Sequence, residues 1–288
     1  MTILWAALSG ICFALIPLGI RAATSRGIEP RHLLLAAMPL CALVMLPGAL
    51  ARPAPITVWL IGLGVGIAQF GAIMILRWGL RYGPMSPLWC AQMLGFVVAV
   101  LWGWWSWSEM PTAGRWLAVG AALVSVVAAS WSAKEEGTVA SRRILPYAAA
   151  LAAVWLLNGA TNAAFKSLAM IPATGGGDLM AAHGDAVLVA MYLTITAGAT
   201  GDLALRPARA PLAATLGFAL LIAAGSLGGL KLLRLCLNAP AASVFTVNTA
   251  ASLIAVTVLA WTFWRERPSG AGWISLACAL AAVGAASG

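Results

Sequence analysis

Ten times between residues 3 and 287 the chain turns apolar for about the length of a membrane-crossing helix, with nine polar connectors between the runs. Covering about 30 Å of hydrocarbon takes roughly 20 helical residues. The runs lie at about 3–22, 33–51, 56–80, 85–107, 113–132, 144–165, 179–200, 212–234, 241–264 and 270–287. In a bilayer every backbone N–H and C=O must be bonded within the protein, so runs of this length spell helices. The expected fold is an all-α polytopic membrane protein with ten transmembrane helices. Composition agrees: 62% of residues are hydrophobic and 9% charged, whereas a water-facing surface needs roughly a quarter to a third charged residues. The first run has no basic segment before it and is too long for a secretory-signal core, so it reads as the first span.

The segment "WWSWSEMPTAGRW" is echoed by "WTFWRERPSGAGW". Trp104, Trp107, Glu109, Pro111 and Trp116 recur as Trp261, Trp264, Glu266, Pro268 and Trp273, each 157 residues later (266 − 109 = 157). The same offset carries Gly71 onto Gly228, Arg77 onto Arg234 and Ser86 onto Ser243. One structural unit is therefore used twice. The longest charged connector, Lys134 to Arg143, joins the copies and divides the chain into repeats at 1–137 and 138–288. Five spans per copy is an odd number, so the second repeat enters the membrane inverted. Two inverted copies place a site near the midplane with two mirror-related ways to close it, the geometry of alternating access. Small residues at four-residue spacing (Gly114, Ala118, Ala122 and Ala271, Ser275, Ala279) mark the fifth and tenth spans as scaffold.

The formal charge of +9 comes from basic residues scattered singly between apolar runs. That pattern gives no nucleic-acid footprint and reads as the flanks of spans. Twelve of the 17 basic residues fall in odd-numbered loops and five in even ones, which puts the odd loops in the cytoplasm and both termini outside. The five cysteines lie inside apolar runs without a Cys-x-x-Cys pair or a nearby histidine, so neither a metal nor another cofactor is expected. "GGGD" at Gly175 to Asp178 fits a motif of intramembrane aspartyl proteases. The partner aspartate that this chemistry needs, expected as Tyr-Asp in another span, is absent, and neither His-Glu-x-x-His nor Gly-x-Ser-x-Gly occurs, so an enzyme is not expected.

Ten spans in two halves, with "WSEMPTAG" and "WRERPSGAG" closing each fourth span, resemble the EamA-type transporters of the drug/metabolite transporter superfamily. "GLRYGPMSP", "CLNAPAASV" and "WLLNGATNAAFK" extend the resemblance over essentially the whole chain. The first span departs from it, with Phe13 and Ile16 where the sixth has Trp155 and Asn158. The resemblance implies a bacterial inner-membrane transporter of small organic solutes, often an exporter of amino acids or related metabolites. Its cavity is lined by spans other than the fifth and tenth, and it acts as a monomer or homodimer with the lipid bilayer and a small-molecule substrate as partners.

Polar groups inside spans are costly unless they face protein or a wet cavity. Gln69, Gln92, Asn158, Asn162, Asn248 and Thr249, on spans three, four, six and nine, form a candidate polar ring; tying helices together is the plain alternative. Trp89 lies three residues before Gln92, where it can cover a solute or simply pack. Arg77 and Arg234 either snorkel to headgroups or supply matched partners for a carboxylate or phosphate. His183 and Asp185 read as a pH-sensitive pair or a solvated helix end. Glu109 and Glu266, with Pro111 and Pro268, are better suited to favouring the next helix N-terminus than to proton coupling. The favoured function is export of zwitterionic or anionic metabolites. The alternatives are exchange of phosphorylated anions through Arg77 and Arg234, and a non-transporting structural or sensing protein, which predicts a solid core.

Overall fold

The computed structural model describes residues 1–79, 81–82, 85–132, 144–173, 176–206, 211–265 and 270–286. Among them run eleven α-helices: α1 (Thr2–Thr24), α2 (Pro30–Ala51), α3 (Ile56–Gly79), α4 (Met85–Met93), α5 (Gly95–Trp107), α6 (Ala113–Ser132), α7 (Ile144–Met170), α8 (Leu179–Leu205), α9 (Leu212–Arg234), α10 (Ala241–Trp264) and α11 (Gly270–Ala286). No strand occurs among the described residues. Eight spans are long and apolar enough to cross a membrane, which makes this an integral membrane protein. The two shorter apolar helices, α6 and α11, pack on each other, and Ser125 Oγ donates to Ser275 O at 2.7 Å between them.

The fourth apolar run, expected as one helix over 85–107, is broken at Leu94 into α4 and α5. Side chains of α7 hold the break. Trp155 Nε1 donates to Leu94 O at 3.0 Å, and Asn158 Nδ2 donates to Gln92 O at 2.6 Å. Carbonyls released by the interruption are thus bonded from a neighbouring helix, as membrane-buried backbone requires. Gly95 makes room for this, since a Cβ there would lie 2.8 Å from Asn158 Nδ2.

The 157-residue sequence offset carries α3 onto α9 and α4–α5 onto α10. The first helix, α1, packs against α9 and α10; α7 packs against α3, α4 and α5. α2 lies on α8 and α9, and α3 lies on α8, where a Cβ on Gly62 would fall 2.5 Å from Val187 O. Such contacts let backbones approach where lipid supplies no hydrophobic drive between helices.

The tryptophan-rich corners match in three dimensions. α5 ends at Ser108 (φ 53°) and α10 at Arg265 (φ 55°), both left-handed and 157 residues apart (265 − 108 = 157). Glu109 N–H reaches back to Gly103 O at 3.2 Å, which gives a carbonyl of the last turn of α5 a donor. Trp104 meets Trp116 edge to face at 6.0 Å, and Trp261 meets Trp273 likewise at 6.5 Å. These exposed rings suit the headgroup level. Glu266 and Pro268 lie outside the described residues.

Candidate functional site

A cavity of about 500 Å³ lies between α1, α2, α3, α4 and α7 to α10. None of its lining residues belongs to α5, α6 or α11. Its walls are mostly apolar, with Phe13, Met38, Met74, Met191 and Ile222 among them. The sequence candidates Gln69, Gln92, Asn158, Asn162, Asn248 and Thr249 all line it, as do Arg77 and, unforeseen, Ser252, Tyr192, Ser226, Glu29 and Arg31.

These polar groups divide into two sets. In the first, hydrogen bonds tie helices together: Gln69 Nε2 donates to Asn158 Oδ1 (3.2 Å), Asn248 Nδ2 donates to Ser9 Oγ (2.8 Å), and Tyr192 Oη pairs with Ser226 Oγ (2.9 Å). In the second, the side chains of Gln92, Asn162, Thr249 and Ser252 face the cavity with no hydrogen-bond partner among the described residues. Uncharged donors and acceptors left open in an otherwise apolar cavity are the kind of groups that orient a solute.

The cavity reaches solvent beside the loop from α1 to α2. Arg77 Nη1 lies 2.9 Å and Arg31 Nη1 3.4 Å from Asp202 Oδ2; Arg77 Nη2 lies 3.3 Å and Arg31 Nε 2.9 Å from Glu29 Oε2. Two guanidiniums and two carboxylates balance in formal charge. Arg31 is only 5% exposed, so its compensation by Glu29 and Asp202 is what makes its burial tolerable.

At the opposite end the lining closes on Phe165, Leu230, Leu233 and Phe245, all buried. Charged residues follow directly. Next to Phe165, the fully buried Lys166 bonds Glu109 Oε1 (2.6 Å), Leu237 O (2.9 Å) and Ala239 O (2.8 Å). Next to Leu233, Arg234 donates to Asp185 Oδ1 (2.5 Å) and Ala181 O (2.7 Å). Arg234 and Asp185 are not part of the cavity wall.

Residues 1–131 of the chain match the model of the EamA-like transporter family, within the drug/metabolite transporter superfamily. That is a family of transporters, not of enzymes. No curated protein matches the sequence. One crystal structure of a protein superposes with a TM-score of 0.78 over 99% of this chain and 96% of its own, at 18% identity, a likeness of fold alone.

Several sequence expectations change in three dimensions. Asp185 bonds Arg234 and not His183, whose Nδ1 is buried without a partner among the described residues where the backbone of α8 kinks. Glu109 serves a different helix from the one expected: its Oε2 accepts from Ala241 N at 2.8 Å, at the start of α10. The N-terminus of α6 is met instead by Thr112 Oγ1, which accepts from Arg115 N at 3.4 Å, and Pro111 sits half-buried in the corner before it. Lys166, one of the five basic residues counted in the even-numbered loops, lies instead within α7, which continues five residues past the expected span end. The side chain of Trp89 lies outside those described. Asp178 N-caps α8, accepting from Ala181 N at 2.7 Å and, through Oδ2, from Asn238 Nδ2 at 3.1 Å, so this carboxylate is committed to structure; Gly175 lies outside the described residues. Burial pushes the Cys236 thiol, between α9 and α10, up to about 11, so it stays protonated at neutral pH.

Proposed function

We propose that the chain is a secondary transporter exporting small zwitterionic or anionic metabolites, amino acids foremost, by alternating access between two inverted repeats. The observation that carries this reading is the cavity itself, about 500 Å³ between the halves, with unpartnered amides and hydroxyls at depth and a charge-balanced mouth. The mouth lies on the side of the odd-numbered loops, which the basic-residue count places in the cytoplasm. A cavity open there is loaded from within, as export requires. The membrane is taken to be a bacterial inner membrane, and the working unit a monomer or homodimer.

Balanced charge at the mouth argues for zwitterions over organic cations, since the lining carboxylate, Glu29, already faces two guanidiniums. Exchange of phosphorylated anions is weakened by the same geometry: Arg77 and Arg234 each carry a carboxylate partner, and Lys231 is exposed outside the lining. A non-transporting protein with a solid core has no use for such a space. The test is a thermal-shift screen of the detergent-purified protein against amino acids, organic and phosphorylated anions and quaternary amines, because a ligand that binds only the folded state raises Tm by mass action. Stabilisation by amino acids, followed by counterflow of the same compounds in proteoliposomes, is the expected result. Stabilisation by quaternary amines alone would overturn the reading.

A further inference from the structure

Arg77 and Arg234 occupy matched positions (234 − 77 = 157) and find carboxylates at opposite ends of one helix, Asp202 and Asp185 of α8. Seventeen residues separate the two aspartates (202 − 185 = 17), about 25 Å along a helix. Each arginine also meets the start of a helix: Arg77 reaches Glu29, which precedes α2, and Arg234 reaches Asp185 in the second turn of α8. The two clusters differ in one respect. Arg77, Arg31 and Glu29 line the cavity at its mouth, whereas Arg234 and Asp185 lie beyond its apolar floor.

The sealed end is tightly built. Asp185 lies so close to Gly48, near the end of α2, that a Cβ on Gly48 would overlap its carboxylate. Gly184 gives Arg234 the same room, for a Cβ there would lie 2.9 Å from the guanidinium carbon. This pair therefore joins α9 to α8 at the point where α2 closes over them. A path from the cavity to this side must part Leu233 from its neighbours, and Arg234 is the next residue.

We infer that Arg234–Asp185, roofed by Gly48, is the gate of the closed side. In the opposite state α2 withdraws from Asp185. The inference rests on the alternating-access reading and names the residues that execute it. Lys166–Glu109 differs in kind: it fastens α5 and α7 to the start of α10 with every donor satisfied, and it stays made in both states.

A cross-link tests the assignment. An ideal Cβ at position 48 lies 3.4 Å from the Cβ of Asp185, close to the separation that a disulfide spans. Gly48→Cys with Asp185→Cys, in a chain whose five native cysteines are replaced by serine or alanine, is reconstituted in proteoliposomes. A reporter Asn162→Cys in the cavity wall is probed with a membrane-impermeant maleimide applied on the Arg52 side. Labelling of the reduced protein, lost on oxidation and restored by reductant, is the expected result. Equal labelling before and after oxidation overturns the gate while leaving alternating access standing. If even the reduced protein is never labelled from that side, alternating access fails and the gate with it. Failure of the cross-link to form removes the closure of α2 on α8 and overturns the proposal. Asp185→Asn, with no engineered cross-link, raises labelling from the Arg52 side; an unchanged rate counts against the pair.

Discussion

The ammonium of Lys166 lies 2.6 Å from Oε1 of Glu109, and Oε2 of the same carboxylate accepts the Ala241 N–H at 2.8 Å. One glutamate thus neutralises a buried cation and caps a helix. Removing one member of such a pair strands the other charge, at a cost of about 3–5 kcal/mol. Lys166→Met and Glu109→Ala each lower Tm sharply in a thermal melt of the detergent-solubilised protein. Glu109→Gln is milder, because an amide oxygen still serves Ala241 N or the ammonium. The double variant Lys166→Met with Glu109→Ala loses less than the sum of the singles. Additive losses would mean that the pair does not act as a unit.

Ser108 and Arg265 hold left-handed backbone at the ends of α5 and α10. For a residue with a Cβ that conformation costs about 1–2 kcal/mol, and glycine removes the cost. Ser108→Gly and Arg265→Gly therefore each raise Tm, with a combined effect close to additive, since the corners belong to different halves. A fall in Tm in either variant would show that the side chain there contributes more than its backbone strain costs.

On α3, Gly62 and Gly64 test which face of the helix meets α8. A methyl on Gly62 would press on the Val187 carbonyl, a backbone atom that cannot swing aside, whereas Gly64 has nothing within 4 Å of its Cβ position. Gly62→Ala is expected to cost about 1–3 kcal/mol from overpacking. Gly64→Ala gains roughly 0.5–1 kcal/mol from reduced chain entropy. Opposite signs in two thermal melts, two residues apart, would fix the register of the α3–α8 crossing.

Most of the architecture was legible because it is written in local terms. Span lengths follow from apolar run lengths, and the corners follow from a repeat that keeps Trp104, Glu109 and Trp116 in register with Trp261, Glu266 and Trp273. What could not be read was contact between helices distant in the chain. Asp202 reaches Arg77 across 125 residues and Asp185 reaches Arg234 across 49, so no helical spacing announces either pair. The break at Leu94 was hidden for a similar reason. It lies within an unbroken apolar run with only Gly95 as a local signal, and the side chains that bond its carbonyls come from α7. Lys166 did leave a trace, a lysine just past an apolar run, but a loop position fits that trace equally well, and its partner Glu109 lies 57 residues earlier (166 − 109 = 57).

The polar residues of the cavity separate by partner into ties and open groups, and substitution should separate them by outcome. Asn158 holds Gln69 with one end of its amide and Gln92 O with the other. Asn158→Leu leaves a buried carbonyl and an amide unpaired, which costs about 1–3 kcal/mol each, so Tm falls. The Gln92 side chain, by contrast, bonds nothing among the described residues, and Thr249 likewise offers a free hydroxyl. Gln92→Leu and Thr249→Val should leave Tm near that of the parent protein. A net hydrogen bond to a solute contributes about 0.5–1.5 kcal/mol, so each of these two variants should weaken binding roughly two- to tenfold. Titration of the stabilising compound by thermal shift reads both quantities in one experiment. Parent-like affinity in both variants would move the solute away from α4 and α10, and a fall in Tm in both would make these residues ties like Asn158.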